Sequence, residues 1–128
     1  MARLLLVDDD NDIVEALGVL LRGEGHDVHS ASTGEEGLLV LRGSALPEAL
    51  VLDVDMPVLG GPGMAHEMLL HDAGEEKIPI ILMSGNANLT AIARKMGTPY
   101  VIEKPTTIRA FLAVLDRALR ERRGPSSA

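Results

Sequence analysis

The feature that most constrains the fold is a series of short, unbroken apolar runs, each stopping at a polar residue. Arg3 to Val7 runs into Asp8-Asp9-Asp10, Ala49 to Leu52 stops at Asp53, and Ile78 to Met83 stops at Ser84-Gly85. Tyr100 to Ile102 is followed by Glu103-Lys104-Pro105, and Asp27 to Ser30 reads as a weak second strand. A strand with one wet face alternates apolar and polar residues. A continuous run is covered on both faces, as in a parallel sheet between layers of helix.

Helical spacing fills the intervals. Ile13, Leu17, Leu20 and Leu21 form one stripe, closed by Gly23 and Gly25. Thr33 with Glu36 makes a capping box opening a helix through Leu41. Met64, Ala65, Met68 and Leu69 suggest a third helix after the Gly60–Gly63 turn. Leu89, Ile92, Ala93 and Met96 mark a short fourth, stopped by Gly97, and Ile108, Phe111, Leu112, Leu115 and Leu119 a last one.

Five βα units in 128 residues predict an α/β fold: a single-domain, doubly wound, five-stranded parallel sheet with helices on both faces. The strand order expected is the flavodoxin-like 2-1-3-4-5. The domain is expected to fill residues 1–123, with 124–128 as a flexible C-terminal tail. Gly124-Pro125-Ser126 reads as a helix stop or the start of a linker.

Composition excludes several functions. A formal net charge of −7 argues against direct nucleic-acid binding and against anionic membrane surfaces. One Tyr and one Phe cannot build a base-stacking platform. The lack of cysteine excludes disulfides and thiolate chemistry. The apolar runs are too short for a signal segment or a membrane span, which leads to the expectation of a soluble, cytoplasmic protein.

In an open α/β sheet, ligands bind beyond the carboxyl ends of the strands, where the strand order reverses. Asp8 and Asp9, Asp53, Ser84 and Lys104 all fall at such ends. In the expected order the first and third strands are neighbours, so three carboxylates meet. Three carboxylates together cannot all stay ionised cheaply, and a hard divalent cation with oxygen ligands resolves the conflict. Magnesium is the expected ion, with manganese as a substitute. Beside it Asp53 can act as a nucleophile toward phosphorus, Lys104 can screen the developing charge, Ser84 can offer a hydroxyl, and Gly85 leaves room and an N–H.

Leu-Leu-Val-Asp-Asp-Asp at 5–10, Leu-Asp-Val-Asp-Met-Pro at 52–57, Met-Ser-Gly at 83–85 and Glu-Lys-Pro at 103–105 resemble the receiver domains of bacterial response regulators. The resemblance runs from about Arg3 to Arg122. It implies Asp53 as phosphoacceptor, with Asp9 and Asp53 ligating magnesium directly, Asp8 through water, and Asp55 through its backbone carbonyl. It implies Ser84 and Lys104 as phosphoryl ligands, with Val54 and Gly85 as further phosphoryl contacts and Pro105 as a structural residue. It also implies a histidine kinase or histidine phosphotransfer protein as donor, and a signalling role rather than an enzymatic one. Receivers often bind partners or dimerise through the last two helices, where Arg94, Lys95, Arg109, Arg117 and Arg120 concentrate positive charge.

The sequence departs from the family at one switch position. Many receivers carry Tyr or Phe three residues before the lysine. Here Val101 stands there, and Tyr100 comes one residue earlier. Either the strand bulges or the aromatic switch is missing. Asp55 and Asn86 stand where receivers tune dephosphorylation. Asp10 is expected to cap the first helix.

Two other functions compete. Asp53-Val54-Asp55 also resembles the opening motif of haloacid-dehalogenase-type phosphatases, but here the acidic pair precedes it in the chain. The other is an interaction domain that works without phosphorylation. His66-Glu67 with His71 is not a zinc-protease helix, because histidines five apart lie roughly 140° round a helix.

Overall fold

In the computed structural model, which describes residues 2–43, 46–54, 78–85 and 89–124, each apolar run forms a strand. The strands are β1 (Arg3–Val7), β2 (Asp27–Ala31), β3 (Ala49–Asp53), β4 (Ile80–Ser84) and β5 (Tyr100–Glu103). The helices among the described residues are α1 (Asn11–Gly23), α2 (Gly34–Gly43), α3 (Leu89–Met96) and α4 (Ile108–Glu121). The expected helix around Met64–Leu69, the Gly60–Gly63 turn, His66, His71 and tail residues 125–128 lie outside the described residues. No helix among the described residues is long and apolar enough to cross a membrane.

The sheet is parallel throughout, in the order β2-β1-β3-β4-β5. Its central strands separate two apolar layers by simple alternation. Leu5, Val7, Leu50, Leu52, Ile80 and Leu82 face one way, packed with Leu41 of α2 and Leu89 and Ala93 of α3. Leu4, Leu6, Val51, Ile81 and Met83 face the other, packed with Leu21 of α1 and Phe111, Leu115 and Ala118 of α4. β3 and β4 are buried at every position, which is why their sequences show no polar alternation.

Local chemistry sets the helix ends. Asp10 caps α1, accepting from the N–H groups of Asp12 (3.0 Å) and Ile13 (3.3 Å). Gly25, at φ +90°, turns the chain out of α1, and Gly97, at φ +76°, does the same after α3. Within α1 a Cβ on Gly18 would lie 2.9 Å from Arg22 Nη1, so glycine leaves space for a guanidinium that donates to the Val28 carbonyl of β2 at 3.1 Å.

The expected capping box is shifted by one residue. The Glu36 N–H donates to Thr33 Oγ1 at 3.0 Å, as the motif requires, but Glu36 Oε2 accepts from Ser32, from its N–H at 3.3 Å and its hydroxyl at 2.9 Å. β4 begins at Ile80 rather than Ile78. Pro79 has no N–H for the ladder, although its carbonyl accepts from Leu50 N at 2.9 Å. The last helix starts at Ile108 as expected; its first turn is exposed, and burial begins at Phe111.

Candidate functional site

The parallel register brings the ends of four strands together. Asp8 follows β1, and its N–H still pairs with the Ala31 carbonyl of β2 at 3.1 Å. Asp53 ends β3 in register with Met83, and Ser84 ends β4. Lys104 follows β5, and its N–H donates to the Ser84 carbonyl at 3.0 Å. Because β1 and β3 are neighbours, Asp8 and Asp9 meet Asp53 at the expected place.

Each of these three aspartates offers a carboxylate oxygen, and the three atoms lie within 4.8 Å of one another. Asp8 and Asp53 are buried, at 6% and 5% exposure, while Asp9 is open to water. Lys104 Nζ lies 3.5 Å from Asp8 Oδ2 and 3.6 Å from Asp53 Oδ1, so one ammonium serves both buried carboxylates. Asp8 Oδ1 accepts the N–H of Asp10 at 2.9 Å.

Burial pushes the Asp8 carboxyl above the ordinary carboxylate range. The Asp10 amide works against that rise, the charge of Asp53 adds to it, and the ammonium of Lys104 offsets part of it. The acidic centre therefore gains from any added positive charge. Oxygen donors only, close together and with one side open to water, suit a hard divalent ion that keeps several waters. The residues present thus fit magnesium.

Ser84 is fully buried at the end of β4. A Cβ on Gly85 would meet nothing within 4 Å, so the room there does not depend on glycine. Lys104 joins Pro105 through a cis peptide bond. Both help line an apolar hollow of about 450 Å³ with Ile13, Leu17 and Met83. Asp55 and Asn86 lie outside the described residues.

The Val54 N–H donates to the Met83 carbonyl at 3.1 Å, one residue past the end of β3.

The structure also decides between the two readings of β5. Its register with β4 is regular, from Ile81 opposite Tyr100 to Ser84 opposite Glu103, so there is no bulge. Val101 is half-buried on the α2–α3 side. Tyr100 is fully buried on the opposite side with Phe111. Its hydroxyl donates to Glu121 Oε1 at 3.0 Å and accepts from Arg123 N at 3.4 Å, while Arg117 lies 5.0 Å over its ring. The tyrosine is thus held by α4 and does not stand in for an aromatic at position 101.

The expected basic face carries exposed Arg94, Arg109 and Arg120. Arg117 donates to the Pro99 carbonyl at 2.7 Å, and Arg120 pairs with Asp116 at 2.9 Å. The side chain of Lys95 lies outside the described residues.

Sequence reading did not foresee the Asp10 amide on Asp8. A backbone donor leaves no residue signature, and only the run of three aspartates hints at it.

The profile of the response regulator receiver domain matches residues 4–116. A response regulator receiver protein of Anaeromyxobacter sp. is 35% identical over 112 residues, covering 88% of this chain and 46% of that protein. The CpxR homolog of Haemophilus influenzae, a transcriptional regulatory protein, is 33% identical, covering 99% of this chain and 54% of that one. This chain therefore spans about half the length of the curated relatives it matches. Among solved structures, a CheY-like response regulator receiver domain protein from Methanospirillum hungatei superposes with a TM-score of 0.83 at 26% identity, covering 95% of this chain and 96% of that one.

Proposed function

Since the chain belongs to the response regulator receiver family, we propose that it is the phosphoacceptor of a two-component or phosphorelay system, taking a phosphoryl group on Asp53 in a magnesium-dependent step. The observation that carries this reading is the buried Asp53 carboxylate, 3.6 Å from Lys104 Nζ and grouped with Asp8 and Asp9. Family membership and the order of the acidic residues, with the pair first in the chain, favour this reading over a haloacid-dehalogenase-type phosphatase. The receiver domain in this reading is 1–123, with 124–128 as a C-terminal tail.

The donor would be a phosphohistidine on a histidine kinase or histidine phosphotransfer protein. An Asp53 carboxylate oxygen attacks phosphorus. The new O–P bond forms as the P–N bond to the imidazole breaks, and the electron pair leaves with the nitrogen, which takes up a proton. Asp8, Asp9 and Asp53 would hold magnesium, which when bound supplies positive charge to the phosphoryl oxygens. Lys104 is already poised between Asp8 and Asp53 and can follow the charge as it moves onto phosphorus. Ser84, tied to Lys104 through its own carbonyl, would place a hydroxyl against a phosphoryl oxygen. The added charge of about −2 then biases the packing of the surrounding elements and alters contacts with a partner protein.

The test uses acetyl phosphate as donor, with and without magnesium, and intact mass as readout. We expect a gain of one phosphoryl group that requires magnesium and is absent in Asp53→Asn. No gain from either acetyl phosphate or a phosphohistidine donor, together with no magnesium binding, would sink this reading and favour an interaction domain that works without phosphorylation.

A further inference from the structure

The acidic centre needs Asp8 to present one oxygen inward while its charge is tolerated in a buried place. Both demands converge on Asp10. Asp8 has its Oδ2 turned to Lys104 at 3.5 Å, and the other oxygen, Oδ1, accepts the Asp10 N–H at 2.9 Å. That amide fixes the rotation of the carboxylate and solvates it where water is scarce, since Asp8 is only 6% exposed.

The direction of the amide is set in turn by the Asp10 side chain. Its Oδ1 accepts from Asp12 N and Ile13 N at 3.0 and 3.3 Å and thereby joins the Asp10 backbone, at φ −88° and ψ 101°, to the start of α1. The Asp10 carbonyl accepts from Val14 N at 3.1 Å and completes the junction. The chain of contacts runs from α1 through the Asp10 side chain to its own amide, and from that amide to Asp8.

We propose that Asp10 is a positioning residue for the cation site: by capping α1 it aims its backbone N–H at Asp8 and so holds the Asp8 carboxylate ready to bind magnesium. The inference rests on the receiver reading of the same site. It adds a residue that contacts neither metal nor phosphoryl group and acts through its neighbour. The side chain is required as a hydrogen-bond acceptor, not as a charge.

The experiment is calorimetric titration of magnesium into the full chain and four variants. Asp10→Ala removes the cap acceptor. Asp10→Gly removes it too, but glycine is itself a tolerated cap residue and costs the helix little, so it serves if the alanine variant does not fold. Asp10→Asn keeps an acceptor oxygen and removes the charge. Thr107→Ala removes the cap of α4, where Thr107 Oγ1 accepts from Ala110 N at 3.1 Å, and controls for a general loss of stability.

We expect the alanine or glycine variant to bind magnesium about 10-fold more weakly, as loss of an outer-shell partner typically does, while Asp10→Asn and Thr107→Ala stay within about twofold of wild type. Amide exchange at residue 10, measured without metal, should quicken in the first pair and stay slow in Asp10→Asn. Unchanged affinity in the alanine or glycine variant would overturn the proposal, as would equal weakening in Asp10→Asn or in Thr107→Ala. Wild type that binds no magnesium would instead strike the receiver reading beneath it.

Discussion

Replacing Asp8 with asparagine should make the metal-free protein more stable. Asp8→Asn keeps the shape of the side chain and the oxygen that accepts the Asp10 amide at 2.9 Å, and it deletes one negative charge. Taking an effective dielectric of about 20, the attraction of Lys104 at 3.5 Å comes to about 5 kcal/mol. On the same scale the repulsion from Asp53, no more than 4.8 Å away, comes to about 3.5 kcal/mol or more. Asp9 adds repulsion of the same sign, weakened by solvent. The charge terms nearly cancel, and burial decides the balance against the ionised form, which is why the carboxyl is held above its ordinary range. Desolvating an ion costs several kcal/mol, and relief of a fraction of that gives about 1–2 kcal/mol. For 128 residues the unfolding entropy near 60 °C is about 0.27 kcal/mol per kelvin, so Tm should rise by about 4–7 °C. The assay is thermal unfolding by circular dichroism at neutral pH, first in EDTA and then in millimolar magnesium. Magnesium should raise the wild type by mass action and the variant much less, narrowing or reversing their order. A variant less stable than wild type in EDTA would refute the reasoning, since the Lys104 pair would then outweigh burial and repulsion.

The pH dependence follows with its sign. A carboxyl held high in the folded state binds a proton more tightly there than in the unfolded chain. Its stabilising share is complete below about pH 4, the ordinary value, and is lost as pH rises through the raised one. Metal-free wild type should show this loss in denaturant midpoints taken across the acid range, and Asp8→Asn should not. Glu48 runs the other way. The Arg3 amide at 2.9 Å and the Arg122 guanidinium at 3.1 Å hold its carboxyl low, so its share is present above the ordinary pKa and lost as pH falls through the lowered one. Glu48→Gln should remove that acid-side loss in the same series. Tyr100→Phe keeps the ring under Arg117 but gives up the hydroxyl contacts to Glu121 and Arg123, costing about 1 kcal/mol, or about 4 °C in Tm. Magnesium-dependent phosphorylation should be unchanged in that variant, because the hydroxyl is engaged with α4. A phosphorylation defect there would contradict this placement.

The fold was legible because burial on both faces leaves a plain signature. Leu50, Val51 and Leu52 are apolar without alternation, since the sheet has a helical layer on each side. The site was legible for a related reason: polar residues follow strands that tolerate none inside, so Asp8, Asp53, Ser84 and Lys104 stand out. What sequence missed lies mostly in the backbone. The amide of Asp10 donates to Asp8, and the residue type does not reveal it. Ser32 displaced the return arm of the capping box because its hydroxyl competes for the same glutamate. Periodicity placed Ile108 in the last helix, where it stands first, but spacing alone does not say whether a given turn reaches the core. The side taken by Tyr100 followed from strand parity alone once the register was known to be regular.

The burial of Tyr100 has a practical consequence. It is the chain's sole tyrosine, and there is no tryptophan, so the phenol emission of this chain comes from one residue. That phenol sits on β5, four residues before Lys104, and its proton is shared with a carboxylate at the far end of α4. Phenol emission is quenched by such a carboxylate acceptor, so brightness reads the distance between two elements without any label. The molecule carries its own optical gauge, placed where a disturbance starting at the acidic end of the sheet would reach the last helix.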